Sequence, residues 1–318
     1  MNFLVWEMTY LRYFIPLILE GNKRGIRSKV FVDYSCHKYN SPKNNKDKLV
    51  ALSQEYAFDL LPIEDASECT GVTFVIEGIL REYCKKSTCV SIPYGTDFVS
   101  LWSKYINEVD HVIMPTEFIA QRYDRVSDKN LYLGSPKFDV VLDKDIILDK
   151  YRLENNKKAL IAFPRLKYFS NLNINAIYSV LHSLGYEVLV KTRGKDPVPV
   201  EYRGDKYYED YSWHPHTTME LLEVSDILIN FDSATIKEAV YSKKPVINFR
   251  VKPHLPYDFL YEYPFCYSRK ASEITRENLI GQLQLLTDTD YSIYYKEAFN
   301  KISCENSSKK ILDWFKLK

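Results

Sequence analysis

Glycine is scarce in this chain, 10 of 318 residues, and no Walker-type phosphate loop appears, so a bound phosphate must be gripped by something other than that loop of backbone amides. Six cysteines stand at 36, 69, 84, 89, 266 and 304. None forms a CxxC pair or meets histidine at zinc-finger spacing, which excludes the common metal knuckles. Thiols scattered through a chain of this size read as small buried hydrophobes in a reducing compartment, so a cytoplasmic location is expected. Neither sign of charge dominates: 43 Lys+Arg against 42 Asp+Glu leave +1, and no global field exists to gather nucleic acid. Long hydrophobic runs are missing too. The stretch Tyr13 to Leu19 falls short of the roughly 20 residues a membrane helix needs, and Met1 to Trp6 lacks a basic leader, so neither a span nor secretion is expected. With 46% apolar and 27% charged residues, the chain has ordinary globular usage.

What is abundant is aromatic: 26 Tyr and 16 Phe. Tyrosine closes a core while keeping its hydroxyl wet, and it also stacks on sugars; composition alone leaves both readings open. The length suggests two domains. Short apolar runs alternate with helical patterns: Phe3–Trp6, Lys29–Val32, Thr73–Ile76, Cys89–Ile92, Val112–Met114 and Leu131–Leu133 read as strands, with helices at Phe98–Ile106 and Glu117–Tyr123. After a charge-dense stretch the pattern restarts. Strands are expected at Ala159–Phe163, Glu187–Val190, Lys206–Tyr208, Ile227–Asn230 and Val246–Phe249, and helices near 174–184, 218–224, 234–241, 276–286, 293–302 and 308–315. The expected architecture is α/β: two Rossmann-like doubly wound domains facing across a cleft. The division is an N-terminal acceptor domain over 1–140, a linker over 141–156, and a C-terminal donor domain with terminal helices over 157–318.

Asn230-Phe-Asp-Ser-Ala-Thr235 follows a strand and opens a helix. Its small polar residues and the first free N–H groups of that helix suit a phosphate, while Asp232 or Ser233 also reads as a simple helix cap. Lys191 and Arg193 in Val190-Lys-Thr-Arg193, and Arg165 in Phe163-Pro-Arg165, place three cations at successive strand ends. Together they concentrate positive potential on one edge of an otherwise neutral protein. On the first half, Glu7, Glu77 and Asp97 follow strands and are candidate general bases. His214-Pro-His216 lacks companion ligands, and Asp143-Lys-Asp145 and Asp288-Thr-Asp290 follow no strand; no metal is assigned.

Gly134-Ser-Pro-Lys-Phe-Asp139 resembles the G-x-P-[RK]-x-D turn of GT-B enzymes related to CDP-glycerol glycerophosphotransferases, Kdo transferases and UDP-GlcNAc 2-epimerases. Leu221 to Thr235, Glu238-Ala239 and Lys244 to Phe249 are similar to a second block of those families. The resemblance covers about half the chain. It implies a GT-B fold, a diphosphate turn at Ser233, Ala234 and Thr235 beside Asp232, and a ribose contact at Glu238. Lys191 and Arg193 fall where relatives carry K-x-H-P, and Tyr94-Gly95 where many glycerophosphotransferases carry His-Gly. It implies a metal-independent glycosyltransferase without a cofactor, using a nucleotide-sugar (diphosphate or CMP type) as donor and a glycan or polysaccharide as acceptor. Nucleotide-sugar 2-epimerase, glycerophosphate or polyol-phosphate transferase and noncatalytic nucleotide binding are the alternatives. The helix over Tyr10–Leu19, with Arg12, Lys23 and Arg24 nearby, permits peripheral contact with a membrane or glycolipid.

Overall fold

The computed structural model describes residues 1–35, 40–41, 44–94, 99–165, 173–192, 198–209, 214–252 and 255–317. Two compact units share the chain, Met1–Val140 with Asn300–Lys318, and Val141–Phe299. In the first lie β1 (Asn2–Val5), α1 (Leu11–Lys23), β2 (Lys29–Val32), the short β3 (Asn40–Ser41) and β4 (Asn44–Asn45), α2 (Lys46–Glu55), β5 (Asp59–Pro62), β6 (Val72–Ile76), β7 (Thr88–Ile92), α3 (Val99–Tyr105), β8 (His111–Met114), α4 (Glu117–Arg122) and β9 (Asn130–Tyr132). In the second follow α5 (Lys144–Tyr151), β10 (Lys158–Ala162), α6 (Ile174–Ser183), β11 (Glu187–Lys191), β12 (Lys206–Tyr208), α7 (Thr217–Glu223), β13 (Ile227–Asn230), α8 (Ile236–Tyr241), β14 (Val246–Arg250), β15 (Cys266–Lys270) and α9 (Arg276–Asp288). Helix α10 (Ser292–Ile302) leaves the second unit and α11 (Ser307–Trp314) belongs to the first.

Each unit is built on a parallel sheet. The strand orders are β5-β2-β1-β6-β7-β8-β9 and β12-β11-β10-β13-β14-β15. Counted along each unit, both read 3-2-1-4-5-6, the first with a seventh strand added, which is the doubly wound Rossmann order. The central strands β1, β6 and β13 are buried at every position, as expected for strands covered by helices on both faces. Phe3 packs between Phe14 and Phe74 at 5.1 and 5.3 Å. Helices begin on side-chain caps: Thr116 for α4, Asn173 for α6 and Thr275 for α9 accept backbone N–H groups at 3.1–3.2 Å. Gly185 closes α6 at φ +80°, a left-handed cap that favours glycine.

Three sequence expectations are corrected here. Residues 141–156 do not form a bare linker, because α5 occupies Lys144–Tyr151 and Asp143 caps it, accepting from Asp145 N and Ile146 N. The chain after Asn300, expected with the second half, packs on the first unit instead. Asp139 accepts the N–H groups of Ser307 (3.1 Å) and Ser308, and so caps α11 from the far end of the sequence. Gly134, at φ +90°, leaves the space this requires: a Cβ there would fall 2.1 Å from Ser307 Oγ. Arg24 bonds Asp313 at 2.8 Å, and Phe315 meets Phe74 edge-on at 6.1 Å. Finally, α1 is buried from Leu11 through Ile18, so it offers no apolar face to a membrane. Among the described residues no helix is long and apolar enough to cross one.

Candidate donor site on the second sheet

In a doubly wound sheet the crevice lies where the strand order reverses, beyond the carboxyl ends of the two strands at that point. In the second unit those strands are β10 and β13. The loop after β10 is Phe163-Pro164-Arg165, and the loop after β13 is Phe231 to Thr235. Arg165 is exposed there. Register brings Lys191 to the same edge: it pairs with Ala162 on β10 and with Tyr208 on β12, while Asn230 pairs with Asn248 on β14. With β10 between them, β11 and β13 lie two strand spacings apart, about 10 Å. Lys191 and the 232–235 turn therefore share one rim. Lys191 is 7% exposed and its ammonium sits 3.4 Å from the Thr192 carbonyl.

Within the turn the residues divide by role. Asp232 is fully buried at φ +50°. Its carboxylate accepts from Asn248 Nδ2 (2.8 Å), Val251 N (2.5 Å) and Lys252 N (2.7 Å). Asp232 therefore caps no helix; its carboxylate ties the loop after β14 to the loop after β13. That tie delivers Lys252, whose ammonium donates to the Asp232 carbonyl at 2.6 Å. Sequence reading did not single out Lys252, since a lysine two residues past a strand carries no signal of its own. Asn230 Nδ2 and the Tyr261 hydroxyl both donate to the Ser233 carbonyl, at 3.1 and 3.2 Å, and so hold the turn from below. The hydroxyls of Ser233 and Thr235 lie 2.9 Å apart. No side chain caps α8, and the turn before it presents small side chains only. Ala234 and Thr235 are half-buried, and Glu238, one turn along, is 5% exposed. Arg193 and Asp97 lie outside the described residues.

His214 lies just ahead of α7. It is half-buried, and burial pushes its imidazole down to about 4. The unfolded chain takes up this proton from about pH 6.5 downward, while the folded protein does not until about pH 4. Folding stability from this group is thus complete above pH 6.5 and is lost as pH falls toward 4, by up to about 3 kcal/mol. In His214→Gln the decline of the melting temperature between pH 6.5 and 4 should be shallower; an unchanged slope would refute the assignment.

In the first unit the order reverses between β1 and β6, and Glu7 and Glu77 follow those two strands. Their environments differ. Glu77, at φ +49° and 3% exposed, accepts from Tyr94 N at 2.8 Å and from the Tyr105 hydroxyl at 3.1 Å. The wholly buried Arg125 guanidinium stands 3.7 Å away. Burial and the charge of Glu77 push the Tyr105 phenol up. This carboxylate positions the Tyr94 backbone. Glu7, half-buried, has the Thr9 hydroxyl 3.5 Å from its carboxylate. Among the described residues no three His, Cys, Asp or Glu side chains converge as a metal ligand set.

No family model matches the chain, and no curated protein matches its sequence. Solved structures do match. A glycotransferase of kitacinnamycin superposes with TM-score 0.63 at 11% identity, over 99% of this chain and 97% of its own. The UDP-GlcNAc 2-epimerase of Methanocaldococcus jannaschii, in complex with UDP-GlcNAc and UDP, gives 0.60 at 12%, over 100% and 99%. The wall teichoic acid polymerase TagF gives 0.58 at 13%, over 99% and 88%. Glycosyltransferases and epimerases of this kind share the GT-B fold, and the two parallel-sheet units described above are that fold.

Proposed function

We propose that the protein is a metal-independent glycosyltransferase that moves a sugar from a nucleotide-sugar, held by the second unit, to a glycan or polysaccharide acceptor. One observation carries the reading: the small-residue turn 233–235 and the nearly buried Lys191 lie on one rim at the reversal of strand order. A departing nucleoside diphosphate gains negative charge as the glycosidic bond breaks, and fixed amides and cations lower that barrier without reorganising. Lys191, Lys252 and Arg165 supply the cations. Glu238 supplies an acceptor for ribose hydroxyls, as the sequence resemblance implies. Glu7, with more exposure than Glu77, is the better-placed of the two acids to take the acceptor's proton.

The fold likeness to an epimerase that binds UDP-GlcNAc and UDP supports a second reading, 2-epimerisation of a nucleotide-sugar. One experiment separates the two. A thermal-shift panel of UDP-, GDP-, dTDP- and CMP-sugars identifies the donor, since a ligand at 100 times its Kd stabilises the folded form by about 2.7 kcal/mol. Incubation with that donor and oligosaccharide acceptors, followed by mass spectrometry, is expected to show an extended glycan and free nucleotide. An isomerised donor without nucleotide release favours the epimerase, and no shift with any member of the panel removes both.

A further inference from the structure

The edge of the second sheet opposite the donor loops holds a feature the proposed transfer does not use. All strands of this sheet are parallel, so their starting residues gather at one end. There a pocket of about 370 Å³ is lined by Lys144 at the start of α5, Asn156 and Lys157 ahead of β10, Glu223 at the end of α7, Asp226 ahead of β13 and Lys244 ahead of β14.

The charges around it are arranged unusually. Lys244 donates to the Glu223 carbonyl at 3.1 Å, and burial, with the charge of Lys144 adding to it, holds its ammonium below the usual lysine range. Beneath the pocket wall Lys158, 1% exposed, donates to the Asn156 carbonyl at 2.9 Å and to its Oδ1 at 2.6 Å. Burial lowers it as well, and Lys144 again contributes. Among the described residues no carboxylate lies within 4.0 Å of the ammonium of Lys144, Lys157 or Lys244. Glu223 and Asp226 stand near enough to act on Lys244 through space without contacting it. One Asp226 oxygen is taken by the Lys158 N–H at 2.7 Å. The pocket therefore presents the ammonium groups of Lys144 and Lys244, which act on each other through space, and, beside them, carboxylate oxygens that can accept hydroxyl protons.

We infer that this pocket is a second ligand site, distinct from the donor site, for a small phosphorylated polyol such as a hexose phosphate. The phosphate sits between Lys144 and Lys244, and sugar hydroxyls donate to Glu223 and Asp226. The volume lies in the range that small ligands occupy.

The test uses the full chain with its lysines reductively dimethylated with carbon-13, a modification that keeps the charge. Resonances are assigned by Lys144→Arg and Lys244→Arg. Titration with glucose 1-phosphate is expected to move both resonances along one saturable curve, to raise the pH midpoint of Lys244, and to bind at least tenfold more weakly in Lys144→Gln/Lys244→Gln. Inorganic phosphate is expected to bind at least tenfold more weakly than the ester. The same shifts should persist in Lys191→Met, which separates this site from the donor rim whatever the fate of the transferase reading. Unmoved Lys144 and Lys244 resonances at millimolar ligand, an affinity unchanged in the double variant, or equal affinity for inorganic phosphate would each overturn the inference.

Discussion

Asp232→Ala should cost the second unit about 3–5 kcal/mol and lower its melting temperature by on the order of 10 °C. The side chain is wholly buried, and three donors end on it: Asn248 Nδ2 and the N–H groups of Val251 and Lys252. Removing an acceptor leaves each buried donor with its desolvation penalty, about 1–3 kcal/mol apiece before relaxation. The backbone adds to the loss, because φ is +50° and aspartate tolerates the left-handed region better than alanine does. Asp232→Asn rescues only in part: with its amide oxygen toward the Val251 and Lys252 N–H groups, its Nδ2 faces the Asn248 Nδ2 donor. Thermal unfolding followed by calorimetry reads the effect, and a melting temperature within 2 °C of wild type would show that the network is not structural. The same loss frees Lys252 from the turn, so donor affinity should fall in the variant even below its melting point.

Asp232 also shows where sequence reading stops. An acid one residue before a Ser-Ala-Thr turn looks like a helix cap or a ligand contact, and its partners, Asn248, Val251 and Lys252, stand 16 to 20 residues away. No local pattern records such a pairing. The same holds for Asp139. As part of a Gly-x-Pro-x-x-Asp string it reads as a turn, yet its carboxylate caps a helix 168 residues downstream. The boundary between units suffers accordingly, since the contacts of Asn300–Lys318 are long-range and its sequence is that of ordinary amphipathic helix.

Central strands were legible for a physical reason. Burial on both faces demands unbroken apolar runs, and Ile227–Asn230 and Lys29–Val32 are read from the sequence to the residue. Of the parallel-sheet strands it misses β5 and β15, which lie at sheet edges with mostly half-buried or exposed positions, and it misses the short β3 and β4, built of Asn and Ser, which carry no apolar run. That Lys191 and the 232–235 turn share one end of the second sheet was legible because it follows from strand ends. Whether an acid after a strand of the first sheet ends half-buried, as Glu7 does, or buried against a cation, as Glu77 is against Arg125, depends on one backbone turn after the strand and on a partner far along the chain.

Lys191→Met and Glu238→Ala should each weaken binding of the donor found in the nucleotide-sugar panel at least tenfold, and they should do so differently. On the proposed reading Lys191 meets the donor phosphates through a charge-assisted contact, with a net worth of about 1.5–3 kcal/mol, or roughly ten- to a hundredfold in affinity. Its effect depends on phosphate charge, so Lys191→Met should lose diphosphate affinity while leaving the monophosphate nearly unaffected, and kcat should fall with it because leaving-group charge peaks in the transition state. Glu238, as a ribose acceptor, sees the same hydroxyls in monophosphate, diphosphate and nucleotide-sugar. Glu238→Ala should weaken all three by a common factor and raise KM more than it lowers kcat. Calorimetric titration of both variants with the three ligands decides the matter. Equal losses across the ligands in Lys191→Met would separate the lysine from the phosphates, and unchanged affinities in both variants would remove the carboxyl rim of the second sheet as the donor site.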